Sequence, residues 1–207
     1  MKDGSLSNLI RRYGALNERI VRIYLYQIVR GLAYIHSKKV IHRDLKCANI
    51  LINGDAQIKI SDFGASKQLD KTVEEDSECK EPACTSMKGS PFWLAPEIAR
   101  GEGHSYPADI WSLGCVALEI LSGRPPWTLD RPEARNRSRV IKLIKDPNEY
   151  PNFPAGISEE CYDFIYNCTV VRDPKKRWTA QELLNHPFIT NENIENEITT
   201  PFLQDLL

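Results

Sequence analysis

The sequence has no long apolar segment, no closely spaced cysteine pair and almost no net charge. No stretch approaches the roughly 20 apolar residues of a membrane-spanning helix, so no membrane span is predicted. No apolar core follows the basic residue near the start, which argues against a signal peptide. Lys and Arg number 27 against 28 Asp and Glu, a net charge of −1. This balance argues against a nucleic-acid or anionic-membrane partner.

Six cysteines are present, but none belongs to a C-x-x-C pair and no histidines stand at zinc-ligand spacing. We therefore expect a reducing, cytoplasmic compartment rather than a disulfide framework. Cys79 and Cys84 have four residues between them in a polar stretch. A metal or redox pair at these two positions stays open.

Apolar periodicity predicts a mainly helical chain. Ser5 is expected to cap a short helix that ends at Gly14, and Asn17 a longer helix that runs to about His36. Later helices are predicted over four ranges: 108–121, about 132–145, 158–169 and 179–184. The first of these is apolar almost all round, which indicates a buried helix.

A single small hairpin is predicted early in the chain. Residues 49–52 and 57–60 have strand character, and Asn53-Gly54-Asp55 is a typical turn between them. The segment from Asp70 to Lys88 is acidic and shows no apolar periodicity. A long loop of this kind in a compact domain is usually functional or disordered.

Four polar motifs follow one another along the chain. They are His42-Arg43-Asp44-Leu45-Lys46-Cys47-Ala48-Asn49, Asp62-Phe63-Gly64, Ala95-Pro96-Glu97 and Asp109-x-Trp111-Ser112-x-Gly114. Each alone is weak evidence, because Asp and Asn commonly cap turns. In this order and strand–turn context, the set matches the protein-kinase signature.

The chain thus resembles the eukaryotic protein kinase family, serine/threonine type, from Met1 to about Ile189. Within it the resemblance is strongest to MAP kinase kinase kinases, through three further strings: Gly4-Ser5-Leu6, Met87-Lys88-Gly89-Ser90-Pro91-Phe92-Trp93-Leu94 and Asn185-His186-Pro187-Phe188. The resemblance implies a mainly α fold, the carboxyl-terminal lobe of a kinase with a small β-hairpin and without the amino-terminal β lobe. Residues 190–207 would form an acidic tail, either disordered or a docking segment.

The resemblance also implies the roles of individual residues. Asp44 would orient the substrate hydroxyl and accept its proton, and Lys46 would neutralise the transferred phosphoryl group. Asn49 and Asp62 would bind Mg²⁺ through hard oxygen ligands. Leu51 would form an apolar floor under the adenine ring of ATP.

Further matched residues concern substrate choice and structure. Ser90 would bond to Asp44 and Lys46, an arrangement that points to Ser/Thr rather than Tyr as substrate. Glu97 and Arg177 would form a buried ion pair, which is costly to break from one side. Asp109 would hold the backbone of the Asp44 loop (residues 42–49).

Arg43, directly before Asp44, suggests activation by phosphorylation, since a phosphate can pair bidentately with an arginine. Thr85 and Ser86 stand where the activating site of the family usually falls, and either an upstream activator or autophosphorylation would act there. The alternative is a solvated, unmodified loop. Other hydroxyl residues open to modification are Ser66, Thr72 and Ser77.

The 207 residues contain no G-x-G-x-x-G loop and no lysine in a V-A-I-K context. Both belong to the ATP-binding machinery of kinases. We therefore expect this chain to be an amino-terminally truncated kinase sequence that binds ATP poorly and is inactive alone. The alternative is a short product that serves as a non-catalytic binding or decoy module. The subfamily resemblance implies a MAP kinase kinase as protein substrate.

Overall fold

The computed structural model describes residues 4–53, 56–69, 91–131, 134 and 136–190. Its helices are α1 Leu6–Tyr13, α2 Glu18–Ser37, α3 Pro96–Arg100, α4 Tyr106–Ser122, α5 Arg137–Lys145, α6 Glu159–Thr169 and α7 Ala180–Leu183. Its strands are β1 Val40–Ile41, β2 Ile50–Ile52, β3 Ile58–Ile60 and β4 Lys67–Gln68. The mainly α fold class is confirmed, and no described helix is long and apolar enough to cross a membrane.

Helix ends follow the predicted caps. The Asn17 side chain accepts a hydrogen bond from the Ile20 N–H at 3.0 Å, and the Ser158 hydroxyl accepts one from Cys161 at 3.1 Å. Thr179 and Glu182 form a reciprocal capping box before α7. These side chains satisfy N–H groups that have no partner within the helix.

The buried helix α4 is the centre of the domain. Every residue from Ala108 to Leu121 is buried except Ser112. A side chain at Gly114 would collide with Cys168 and Thr169 of α6, so glycine allows the close approach of the two helices. Apolar side chains of α2 also pack around α4, and the two helices contribute to the same main core.

Strands β2 and β3 form the predicted antiparallel hairpin, with Ile50 opposite Ile60. β2 begins one residue later than predicted, because residues 47–49 form a 3₁₀ turn. Gly54 and Asp55 of the predicted turn lie outside the described residues. A second antiparallel pair, β1 with β4, was not predicted; strands of two residues are too short to show a periodicity.

Helix α5 begins at Arg137 rather than at about 132 as predicted. The Asn136 side chain accepts a hydrogen bond from the Ser138 N–H at 2.9 Å and so caps the helix. Asn is favoured at this position because its short side chain reaches the free N–H groups of the first turn. The apolar pattern did not distinguish this start from an earlier one.

Candidate active site

The Asp44 loop joins β1 to β2, and α4 holds its backbone. The Asp109 carboxylate accepts hydrogen bonds from the backbone N–H groups of His42 at 2.8 Å and Arg43 at 2.9 Å. His36 Nε2 lies 2.9 Å from the same carboxylate. Burial disfavours the ionised form of Asp109, but its hydrogen bonds with His36 and the two N–H groups outweigh burial and lower its pKa.

Arg43 has a positive φ of 69°, uncommon for a side chain of this size. Its Nε donates to the Ala65 carbonyl at 2.6 Å, so it links the Asp44 loop to the turn that follows β3. His42 is fully buried, and its Nε2 lies 2.9 Å from the Ser61 carbonyl oxygen. His42 and Arg43 therefore both attach the Asp44 loop to the residues that follow β3.

Three predicted site residues meet at one carboxylate oxygen. Lys46 Nζ lies 2.7 Å from Asp44 Oδ2, and Asn49 Nδ2 donates to the same oxygen at 3.0 Å. Asn49 Nδ2 also donates to the Asp44 carbonyl at 2.8 Å. Asp44 is half-buried. Its carboxylate is thus fixed in direction while it remains accessible from outside.

Asp62 follows β3 in a left-handed conformation, with φ 62° and ψ 65°. The preceding residue, Ser61, donates both its N–H and its hydroxyl to the Asn49 carbonyl, at 2.9 and 2.8 Å. These two bonds bring Asp62 beside Asn49. The Asp62 side chain is exposed, and its Oδ1 accepts a long hydrogen bond from the Gly64 N–H at 3.4 Å.

Asn49 and Asp62 are suitable as magnesium ligands. The Asn49 amide nitrogen points to Asp44, which leaves the amide oxygen for another partner. Mg²⁺ is typically held by one or two such protein oxygens together with substrate phosphates and water. In the described part of the chain no cluster of three or more His, Cys, Asp or Glu could hold a metal ion, so a cysteine- or histidine-rich site is not seen there.

Leu51 is half-buried in the middle of β2, opposite Lys59, with Ser5 bridging its other edge. Phe63 of the Asp-Phe-Gly motif is 43% exposed and lies edge-on to the His42 ring, 5.1 Å between centroids. Both side chains therefore offer partly exposed apolar surface, Leu51 on β2 and Phe63 directly after Asp62.

Arg177 and Glu97 pair in the interior, with Nη1 to Oε1 at 2.7 Å and Nη2 to Oε2 at 3.2 Å. The guanidinium also donates to the carbonyl groups of Pro107 and Val171, at 2.7 and 3.1 Å. It lies 5.2 Å from the centre of the Trp111 ring. The pair thereby ties α3 to the start of α4.

Several sequence-based hypotheses lie outside the described residues. They concern Ser90, Thr85, Ser86, Thr72, Ser77, Cys79 and Cys84. Described cysteines, by contrast, are free thiols and fully buried: Cys47, Cys115, Cys161 and Cys168.

Two buried titratable residues near the site were missed in the sequence. Glu119 of α4 contacts the Asp44 loop, and His104 lines a small cavity beside Arg43 and Asp44. Neither belongs to a recognised motif, and their burial follows only from the packing of distant segments. A charged residue within a largely apolar helix is the signal that could have drawn attention to Glu119.

His104 is 3% exposed, and among the described residues its Nδ1 has no hydrogen-bond partner. Burial and the nearby Arg43 charge lower its pKa to about 4, although Asp109 and Glu97 act in the opposite direction. Below pH 6.5 His104 therefore binds a proton in the unfolded chain, whereas in the folded chain it stays neutral until the pH approaches 4. The stability that this histidine confers is present above pH 6.5 and lost as the pH falls towards 4.

We expect the free energy of unfolding to fall by about 3 kcal/mol more in the wild type than in His104→Gln between pH 7 and pH 4, since each pKa unit corresponds to about 1.4 kcal/mol. Urea unfolding at a series of pH values measures the difference. Parallel pH profiles for the two proteins would contradict the assignment.

Comparison with known proteins agrees with this geometry. A family model described as "Protein kinase domain" matches residues 1–189. The chain is 41% identical over 96% of its length to mitogen-activated protein kinase kinase kinase A of Dictyostelium discoideum, and covers 20% of that protein. It is 40% identical over 93% of its length to mitogen-activated protein kinase kinase kinase 2 of Arabidopsis thaliana, and covers 28% of it.

A human relative, mitogen-activated protein kinase kinase kinase 3, is 38% identical over 91% of the chain, which covers 28% of that protein. The chain thus spans between a fifth and little more than a quarter of the length of these relatives. Because the family match runs through the Asp44 loop, the Asp62 turn and the central helix without interruption, this chain belongs to the protein kinase domain family.

Proposed function

We propose that the protein containing this chain is a serine/threonine protein kinase that transfers the γ-phosphate of ATP to a protein hydroxyl. The observation that carries the proposal is the cluster in which Lys46 and Asn49 both bond to Asp44 Oδ2. Phosphoryl transfer needs little covalent chemistry from the protein and depends on positioning and charge neutralisation. This cluster supplies a base and a cation within one short loop.

Asp44 is the proposed base. The bonds from Lys46 and Asn49 occupy Oδ2 and leave Oδ1 to face the hydroxyl of a substrate. Oδ1 would accept the hydroxyl proton as the oxygen attacks the phosphorus atom.

Lys46 would also neutralise charge on the transferred group, from its position 2.7 Å from Asp44. Asn49 and Asp62 would hold Mg²⁺ through their oxygen atoms, and Leu51 would provide the apolar surface beneath the adenine ring. Magnesium bound there supplies positive charge that offsets the charge developing on the phosphate oxygens. The family match supports ATP and Mg²⁺ as cofactors in general terms.

The proposed protein substrate is a MAP kinase kinase. The relatives are named mitogen-activated protein kinase kinase kinases, which supports this substrate class. Lys46 together with Ser90 supports Ser/Thr rather than Tyr as the acceptor. We also propose a kinase domain over 1–189 with a separate acidic tail, and a cytoplasmic location, which the buried free thiols favour.

The test is phosphorylation of a purified MAP kinase kinase by the full-length protein with labelled ATP and Mg²⁺. Mass spectrometry should locate phosphate on Ser or Thr residues of the substrate. Phosphate on Tyr alone would contradict the acceptor assignment. Stable substrate binding without any transfer would favour the alternative of a non-catalytic binding module.

Phosphorylation within the acidic segment 70–88 is the proposed regulation, by an upstream activator or by autophosphorylation. The double variant Thr85→Ala/Ser86→Ala should lower the kcat of the activated full-length kinase about tenfold or more, because Arg43 then lacks a phosphate to pair with. Steady-state assays after activation measure this. The double variant Thr85→Ser/Ser86→Thr, which keeps a hydroxyl at both positions, is the matched control and should retain activation; unchanged turnover in Thr85→Ala/Ser86→Ala would refute the proposal.

A further inference from the structure

A row of side chains along α2 alternates basic and aromatic residues. Its members are four positions apart, so they form one ridge of the helix surface, about 24 Å long at 1.5 Å per residue. The α2 row consists of Arg22, Tyr26, Arg30, Tyr34 and Lys38, the last of which caps the helix. Its later half is the most open: Arg30 and Lys38 are exposed, and Tyr34 is 65% exposed.

Within the α2 row the cations lie against the rings. The Arg30 guanidinium is 5.4 Å from the centre of the Tyr26 ring, and Lys38 Nζ is 5.6 Å from that of Tyr34. Such contacts hold long basic side chains along the helix surface while their charged ends stay in water. The row therefore presents positive charge next to exposed aromatic surface.

α2 itself carries little negative charge that could balance these cations. Its one acidic residue is Glu18 in the first turn. The Glu18 carboxylate accepts hydrogen bonds from the N–H and the hydroxyl of Ser158, at 2.8 and 2.6 Å. A segment that combines acidic and apolar side chains would therefore be complementary to the α2 row.

The carboxyl-terminal part of the described chain lies beside the first member of the row. The Arg22 guanidinium lies over the Phe188 ring, 5.4 Å from its centre. Arg22 Nε is buried and has no hydrogen-bond partner among the described residues. A buried donor without an acceptor is costly, so an acceptor is expected to come to Arg22 from another part of the chain or from a partner.

Residues 191–207, which lie outside the described residues, have the matching composition. They contain no Lys, Arg or His but four acidic residues: Glu192, Glu195, Glu197 and Asp205. Six apolar residues accompany them: Ile194, Ile198, Phe202, Leu203, Leu206 and Leu207. At about 3.3 Å per residue, about eight residues of extended chain can cover the row, so residues 191–207 are long enough.

We propose that the α2 row is a docking surface for residues 191–207 of the same chain, with carboxylates on the basic members and apolar side chains on the tyrosines. Glu192 follows Phe188 by four positions, and a segment tethered this closely has a high effective concentration at Arg22. The same segment of a second copy, or another acidic protein, lacks that advantage. The inference goes beyond the proposed kinase function and does not depend on it.

Carbodiimide cross-linking of the full chain, which joins an amine directly to a carboxylate, tests the contact. Mass spectrometry should find Lys38 joined to carboxylates within 191–207. Lys142 and Lys145 are exposed on α5 and serve as internal controls that should give no such product. In a mixture of unlabelled and ¹⁵N-labelled chains, the products should carry a single label. Products of mixed label would assign the row to a second copy and overturn the proposal.

Charge reversal gives a second measurement. In Arg30→Glu/Lys38→Glu, chymotrypsin should cut after Phe202 about tenfold faster than in the wild type, because loss of two ion pairs raises the undocked population. Adding Glu195→Lys/Glu197→Lys should restore slow cleavage, since it exchanges the two signs of charge. Arg137→Glu/Arg139→Glu makes the same change on the exposed side of α5 and should leave the rate unchanged.

Arg30 and Lys38 are exposed, so their variant should fold, and far-UV circular dichroism checks this. Wild-type cleavage in the folded Arg30→Glu/Lys38→Glu variant would overturn the proposal. So would the absence of any product between Lys38 and residues 191–207. Equal acceleration in the α5 control would show that net charge, rather than docking, sets the rate. A chain that transfers no phosphate would refute the proposed function and leave these results unaffected.

Discussion

Replacing Asp44 by Asn in the full-length kinase is expected to lower kcat by about 10²–10⁴-fold, the contribution typical of a general base. The neutral amide of Asn is too weak a base to take the proton of the substrate hydroxyl. Both Lys46 and Asn49 bond to a single oxygen, Oδ2, and Asn keeps one acceptor oxygen. The loop should therefore stay folded, and the loss should reflect chemistry.

Steady-state phosphorylation of a protein substrate, with KM for ATP measured alongside, checks this expectation. KM for ATP should change little, because Asp44 acts on the hydroxyl. Asp163→Asn makes the same chemical change on the exposed side of α6, away from the site, and should keep wild-type kcat. A kcat for Asp44→Asn within tenfold of the wild type would show that Asp44 is not the general base.

Replacing Glu97 by Gln is expected to lower the free energy of unfolding by about 3–5 kcal/mol, the usual cost of removing one partner of a buried ion pair. Glu97 and Arg177 are almost fully buried, at 2% and 4% exposure. Without the carboxylate, the charged Arg177 side chain would remain in the interior, where neutral carbonyl groups accept its hydrogen bonds. Its desolvation would then be poorly compensated.

Urea unfolding of the chain, followed by fluorescence, measures this loss. The matched control is Glu102→Gln, which breaks the exposed pair of Arg100 and Glu102, with side chains 36% and 47% exposed. Exposed pairs contribute about 0–1 kcal/mol, so the control should be near neutral. A similar loss of unfolding free energy in Glu97→Gln and Glu102→Gln would show that the buried pair contributes no more to stability than the exposed pair.

Local sequence patterns predicted most of the helices, because their signals lie within a few residues. Asn17, Ser158 and Thr179 cap their helices through neighbours only three residues away. The start of α5 and the pairing of β1 with β4 were not predicted. In these cases the local signal was either ambiguous between adjacent residues or too short to carry a period.

The sequence by itself determined the family, the mainly α fold and the identity of the residues gathered around Asp44. The order of the motifs and the apolar periodicity are properties of the linear sequence. Only the tertiary structure decided which distant groups meet. Glu119 contacts Trp93 and Cys47, and His104 lies against the Arg43 charge, across separations that no local pattern encodes. Burial and hydrogen bonding, and hence the pKa values of such residues, arise only when separate segments pack around α4.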